Sequence, residues 1–138
     1  MNTMKKLLFA GLGLAVSASV MGEDVTGVTR MVCASNQAQI CLETGDCYAA
    51  TPWELAVPDF VIIDTKKGTV STTKASGLDR STEFTKTERK EGLIYMQGVE
   101  GGRAFSFVIH EQTGRLTAAI ARDGISVTVF GACTAAKL

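Results

Sequence analysis

Between residues 92 and 133 the chain reads GLIYMQGVEGGRAFSFVIHEQTGRLTAAIARDGISVTVFGAC, apolar runs parted by glycine turns and closed by a cysteine. In 103–111, Phe105, Phe107 and Ile109 alternate with Ala104, Ser106 and His110, the two-residue period of a strand that buries one face. Val108 is the misfit. The next run sets Leu116, Ala118 and Ile120 against Arg115, Thr117 and Ala119, and the last puts Ile125, Val127, Val129 and Cys133 on one face. The turns are Glu100-Gly101-Gly102, Gln112-Thr113-Gly114 and Asp123-Gly124, and Asp-Gly is a preferred filling of a two-residue hairpin. The segment therefore predicts an antiparallel meander. A sheet with one apolar face must lay that face against something, so the rest of the chain has to cover it.

Residues 1–22 stand apart from that fold. Lys5 and Lys6, the apolar stretch 7–16 and the small-residue run 17–22 together read as a secretory signal peptide. The apolar stretch falls well short of the roughly 20 residues that span a bilayer, so no membrane span is expected in the mature protein. Cleavage after Gly22 puts Val20 at the −3 position; cleavage after Ala18 is the alternative. No cysteine precedes Cys33, so a lipid anchor at the cleavage site is not expected. Residues 23–138 are then a single β domain, too short for two cores.

Of 14 basic side chains, removal of Lys5 and Lys6 leaves 12 against 14 acidic, a net charge of −2 for 23–138. Binding to a phosphate backbone needs clustered cations, so no nucleic-acid partner is expected. The most basic run, Lys86-Thr-Glu-Arg-Lys90, is interrupted by glutamate and reads as a solvated strand end.

Cys33, Cys41, Cys47 and Cys133 all lie beyond the leader, and an even number in an exported chain implies disulfides. Of the three possible connectivities, Cys33–Cys133 with Cys41–Cys47 is favoured, the first joining the first and last strands and the second closing a short loop. Zinc is not expected: the CxxC spacing is absent and the sequence holds one histidine.

The stretch 25–34 alternates without declaring its inner face, though a Cys33–Cys133 bridge would turn Thr29, Met31 and Cys33 inward. A second short strand, 37–42, groups Ala38, Ile40 and Leu42 and leaves Cys41 pointing the other way, suited to a peripheral bridge to Cys47. Thr51-Pro52-Trp53-Glu54 makes a capping box with proline at the first helical position, and Pro58 stops the turn at once. Trp53 is a candidate lid over one end of the core, or a binding anchor. Asp59-Phe-Val-Ile-Ile-Asp64 is an apolar strand, 68–74 its polar partner, 75–79 a mobile loop, and 82–88 an exposed edge strand in which Lys86 and Glu88 oppose edge-to-edge pairing.

No active site assembles from these residues. A serine or cysteine hydrolase needs a base beside its nucleophile, and His110 sits at a strand end with no nucleophile-elbow pattern near it. Asp59 and Asp64 are the nearest candidate carboxylate pair, but five residues apart on a strand they point to opposite faces. Gly101-Gly102 lacks the helix and lysine of a phosphate loop. No catalytic residue and no cofactor is expected.

A signal peptide, a cysteine cluster, TPWELAVPDF, an IDTKKG strand and turn, LIYMQGVEGG, a TGRLT hairpin and a closing VTVFGACT follow one another in the chain. In this order the sequence resembles a group of small exported proteobacterial β-rich proteins of unassigned function. The resemblance implies an exported β domain whose closing cysteine belongs to the scaffold, and it assigns no functional residue.

The expected fold is all-β: eight or nine antiparallel strands in mostly sequential order, curled into a small up-and-down barrel or half-closed sandwich, with one helical turn near 52–56. The expected function is that of a periplasmic or secreted, non-catalytic module that holds a periplasmic or extracellular protein on a surface around Trp53, Tyr48 and Leu55. The alternative is a carrier of a small apolar ligand, lined by Phe105, Phe107, Ile109 and Val127.

Overall fold

The computed structural model describes residues 22–55 and 57–136 together with Gly13, and it omits the side chains of Trp53 and Glu54. Apart from Gly13 and Gly22, the leader read at 1–22 lies outside the described residues. The alternation seen in the sequence is realised as ten antiparallel strands in one curled sheet, a half-barrel. They are β1 (Arg30–Leu42), β2 (Cys47–Ala50), β3 (Phe60–Asp64), β4 (Thr69–Thr72), β5 (Ser81–Glu83), β6 (Lys86–Lys90), β7 (Leu93–Glu100), β8 (Arg103–His110), β9 (Arg115–Arg122) and β10 (Ile125–Ala135). Their spatial order is β5-β4-β3-β1-β10-β9-β8-β7-β6, with β2 paired to β1 beside that path.

Two sequential meanders, β3–β5 and β6–β10, are joined through β1. Its first half pairs with β3 on one side and its second half with β2, while β10 runs along the whole of the other side. The sequence suggested two strands here, and the structure has one of 13 residues carrying a bulge. The pairing shifts between Ser35 and Gln37, so Asn36 is the extra residue. An odd insertion reverses the alternation, and that reversal keeps Met31 and Cys33 before it and Ala38 and Ile40 after it on the same buried face. The strand count exceeds the expected eight or nine because Cys47–Ala50 pairs as a strand and the run 82–88 divides at Phe84 and Thr85 into β5 and β6.

Phe84, the one large apolar residue of that run, is what divides it. Its ring turns into the core and meets Phe105 and Phe107 edge-on at 5.3 and 5.1 Å between centroids. Its N–H donates to the Gly68 carbonyl at 2.7 Å, and the next N–H, of Thr85, donates to the Gln97 carbonyl at 2.8 Å. This corner carries the chain from the β4 edge to the β7 edge and draws the sheet round on itself. Gly98 lies opposite Phe105 in the ladder, and a Cβ there would come within 2.7 Å of the phenyl ring, so the ring packs on bare backbone.

The main core gathers Met31, Cys33, Ile63, Ile94, Met96 and Ile109 among its buried side chains, with Val25 folded under them from the N-terminal segment. The Val25 N–H donates to the Glu111 carbonyl at 2.7 Å and the Glu23 N–H to the Cys133 carbonyl at 3.2 Å. Arg89 fastens the same end, its guanidinium donating to Glu111 Oε1, to the Val28 carbonyl and to Thr65 Oγ1. A second, smaller cluster of Ala38, Ala118 and Val129 sits at the other end beneath Leu55.

The helical turn expected near 52–56 is a 3-10 helix, Pro52–Leu55. The loop expected at 75–79 overlaps a second 3-10 turn, Lys74–Ser76, which begins on the last residue of the expected strand 68–74 and is ended by Gly77 in the left-handed conformation.

Both disulfides form as expected. Cys33 and Cys133 face each other across β1 and β10, both without solvent exposure, and Cys41 and Cys47 face each other across β1 and β2.

Candidate functional site

The two ends of the half-barrel differ in how they are covered. At the Arg89 end the apolar faces are closed over. At the other end the inner faces of β1, β2 and β10 carry Ile40, Tyr48 and Ile125, with Leu55 of the 3-10 helix packed half-buried on the small cluster beneath. Tyr48 lies opposite Ile40 in the ladder, yet 51% of it is exposed, and Ile125 is 38% exposed. Leu55 and Tyr48, two of the residues named from the sequence as a binding surface, thus belong to the same end of the fold. Trp53 lies in the same 3-10 helix, and its side chain is outside the described residues.

The backbone of β2 can be oriented from one bond. The Leu42 N–H donates to the Asp46 carbonyl at 2.8 Å, which makes that pair a hydrogen-bonded one. Alternation along the ladder then makes Cys41 with Cys47 a non-bonded pair, in keeping with their 4.1 Å Cα separation, Ile40 with Tyr48 a bonded pair, and Gln39 with Ala49 again non-bonded. Tyr48 therefore turns its N–H and C=O toward β1, whereas Cys47 and Ala49 turn theirs away from the sheet. β2 is an open edge, tied to the body by the Cys41–Cys47 bridge.

The outer face beside it carries no charge across β1, β10, β9, β8 and β7 in the two nearest rows, the second of which ends at Lys86 of β6. Across the strands, Val99, Ala104, Ala121, Ser126 and Cys41 form one row, and Gln97, Ser106, Ala119, Thr128 and Gln39 the next. Phe130, nearly half exposed, stands on this face at the rim of a shallow hollow of about 440 Å³ floored by Gln37, Gln39 and Ala49. A smaller hollow of about 220 Å³ lies over Ala104, Ala119 and Ser126.

Of the side chains that a carrier would use, the phenylalanines pack on one another, and Phe105 and Val127 also border the smaller hollow. Phe105 and Phe107 are 6.2 Å apart, centroid to centroid, Phe84 lies against both, Ile109 is buried in the main core and Val127 packs on the small cluster.

The titratable residues considered as catalytic candidates are scattered. His110 lies on the outer face near the main-core end, where its Nδ1 accepts from the Thr113 N–H at 3.3 Å. Asp64 is buried, accepting from the Lys66 and Lys67 N–H groups at 3.0 and 2.8 Å, and it caps the β3–β4 turn; Asp59 is exposed ahead of β3. Among the described residues no three His, Cys, Asp or Glu side chains converge as metal ligands, and no helix is long and apolar enough to cross a membrane. The Asp24 carboxyl titrates below its ordinary value because the Thr26 hydroxyl, and then the Thr26 N–H, hydrogen-bond its charged form. Nothing at that exposed turn converges with it.

Sequence reasoning missed the open edge. The signal was there: four uncharged residues, Cys47-Tyr-Ala-Ala50, stand between the Glu43-Thr-Gly-Asp46 turn and the Thr51-Pro52 helix start. Comparison of the chain with protein-family models, curated proteins and solved structures gave no match.

Proposed function

We propose that the protein is an exported, non-catalytic half-barrel module that binds a protein partner at its less covered end, around Tyr48 and Leu55 and beside the helix that carries Trp53. The observation behind this reading is Tyr48. A large aromatic side chain half out of water, held on a strand that a disulfide fixes to the sheet, offers contact area at little ordering cost. Ile125 on the same face adds apolar surface. The disulfides fit an oxidising compartment and the leader composition fits export, while the resemblance to small exported β-rich proteins points the same way.

The test is a photo-crosslinking amino acid placed at Tyr48 in the exporting cell, with the same residue at Leu78 as control, since Leu78 is comparably exposed on a distant loop. The expected result is an adduct heavier by one protein at position 48 and none at 78. Adducts absent from both positions, or identical at both, would overturn the reading.

A further inference from the structure

We propose that the partner at Tyr48 is a second copy of this chain, joined edge to edge through β2 about a two-fold axis; this deepens the partner-binding reading and rests on it.

Three observations carry it. The first is that β2 lacks the protection the other edges have. At one end of the strand order, β6 carries charge at Lys86, Glu88, Arg89 and Lys90; at the other, β5 has three residues, ends in Glu83 and runs into the Phe84 corner. Exposed edges ordinarily carry charges, proline or a bulge that discourage pairing, and Cys47–Ala50 has none of these.

The second is register. Only Cys47 and Ala49 present their N–H and C=O groups outward, so the bonded pairs across a new antiparallel partner must be drawn from these two. Two-fold symmetry then allows Cys47 to pair with Ala49 of the other copy and Ala49 with its Cys47, which makes four backbone hydrogen bonds and places the axis at Tyr48.

The third is side-chain chemistry. In that register Tyr48 faces its own copy in a non-bonded pair, the closely spaced kind, and an aromatic pair so placed is favourable. A two-fold sets like against like, so any charge at the axis would meet its equal; the strand has no charge. The tether between Cys41 and Cys47 holds the edge in shape before pairing. The product is one continuous sheet running through both copies, with the two half-exposed tyrosines covering each other on its inner face.

The experiment uses the purified, oxidised protein alone. Sedimentation velocity from low micromolar to millimolar concentration is expected to show a monomer–dimer equilibrium. Hydrogen exchange is expected to slow at the Cys47 and Ala49 amides as the dimer fills, while the Tyr48 amide, already bonded to β1, changes little. Two variants act on different parts of the contact. Tyr48→Lys sets two cations face to face, and Ala49→Pro removes an outward N–H without touching the β1 ladder; each should weaken the dimer at least about tenfold. Intact disulfides and an unchanged circular dichroism spectrum check that each variant folds, and Tyr48→Lys, on an exposed side chain, stands if the proline variant does not. A monomer throughout the range would overturn self-pairing, as would a dimer that survives Tyr48→Lys or leaves the Cys47 and Ala49 amides unprotected. In those cases a position-48 crosslink to a different protein keeps the partner-binding reading, and no crosslink removes it as well.

Discussion

At the scale of single residues, one atom too many is costly where backbones meet. Gly114 ends the β8–β9 turn with φ of +68°, and a Cβ on it would stand 2.3 Å from the Cys133 carbonyl oxygen and 2.7 Å from that of Glu23. Its own N–H donates to the His110 carbonyl at 2.8 Å and its carbonyl accepts from the Cys133 N–H at 2.7 Å. The turn, the N-terminal segment and the last strand therefore converge on one residue without a side chain. Gly114→Ala is expected to lower stability by about 2–5 kcal/mol, combining left-handed strain with displacement of backbone that has no rotamer to yield. Urea denaturation measures it, and a midpoint within error of the parent would show that the Glu23 segment is not packed as described. The sequence marks Gly114 as a turn glycine and nothing more, because what approaches it comes from 91 residues away in one case (23 against 114) and from the last strand in the other.

Among the elements, β1 decides how the sheet is assembled, and its reading shows where local pattern fails. The alternation at 37–42 is realised, and that at 25–34 only from Arg30 onward, since a turn occupies 26–27 and Thr29, expected inward with Met31 and Cys33, is exposed; the two halves are out of phase, and periodicity alone reads two strands with a break. The structure keeps a single strand and absorbs the phase error in the bulge at Asn36, where the Ser35 N–H donates to the Asp59 carbonyl at 2.9 Å. The period was visible in the sequence; the inner face of the first half and the continuity of the strand were not, since both depend on β10 running alongside. The same cause hid β2, whose four residues become a strand only because β1 is there to receive them. Deleting Asn36 tests the point. With the extra residue gone, Met31, Cys33, Ser35, Ala38 and Ile40 fall in one unbroken alternation, and the partners across β10 stay as they are, Ser35 with Gly131 and Gln37 with Phe130. The shortened chain is therefore expected to keep both disulfides and a cooperative melt close to that of the parent. Loss of cooperative unfolding would show that the bulge does more than absorb one surplus residue.

For the whole molecule, the two disulfides have different tasks. The long-range one was legible as a link between the first and last strands; its burial and its place directly across β1 and β10 became clear only with the sheet closed. Cys33–Cys133 spans 100 residues and Cys41–Cys47 spans 6, and in the chain-entropy model these closures are worth about 4.7 and about 2 kcal/mol. A domain of this size has a stability of about 5–15 kcal/mol, so the first bridge can decide whether it folds and the second cannot. Exposure separates them further: both sulfurs of the first have no solvent contact, while Cys47 of the second is on the surface. Titration with a mild thiol reductant should therefore open Cys41–Cys47 first, leaving the far-ultraviolet spectrum and the melt nearly unchanged. The edge formed by β2 should loosen at that step, and with it the proposed pairing at Tyr48, before the fold itself is affected. Thiol-trapping mass spectrometry reads the order directly. If Cys33 and Cys133 label first, the buried bridge is not shielded by the core as the structure has it. If Cys41 and Cys47 label first and the dimer persists, the tether is not what holds β2 ready to pair.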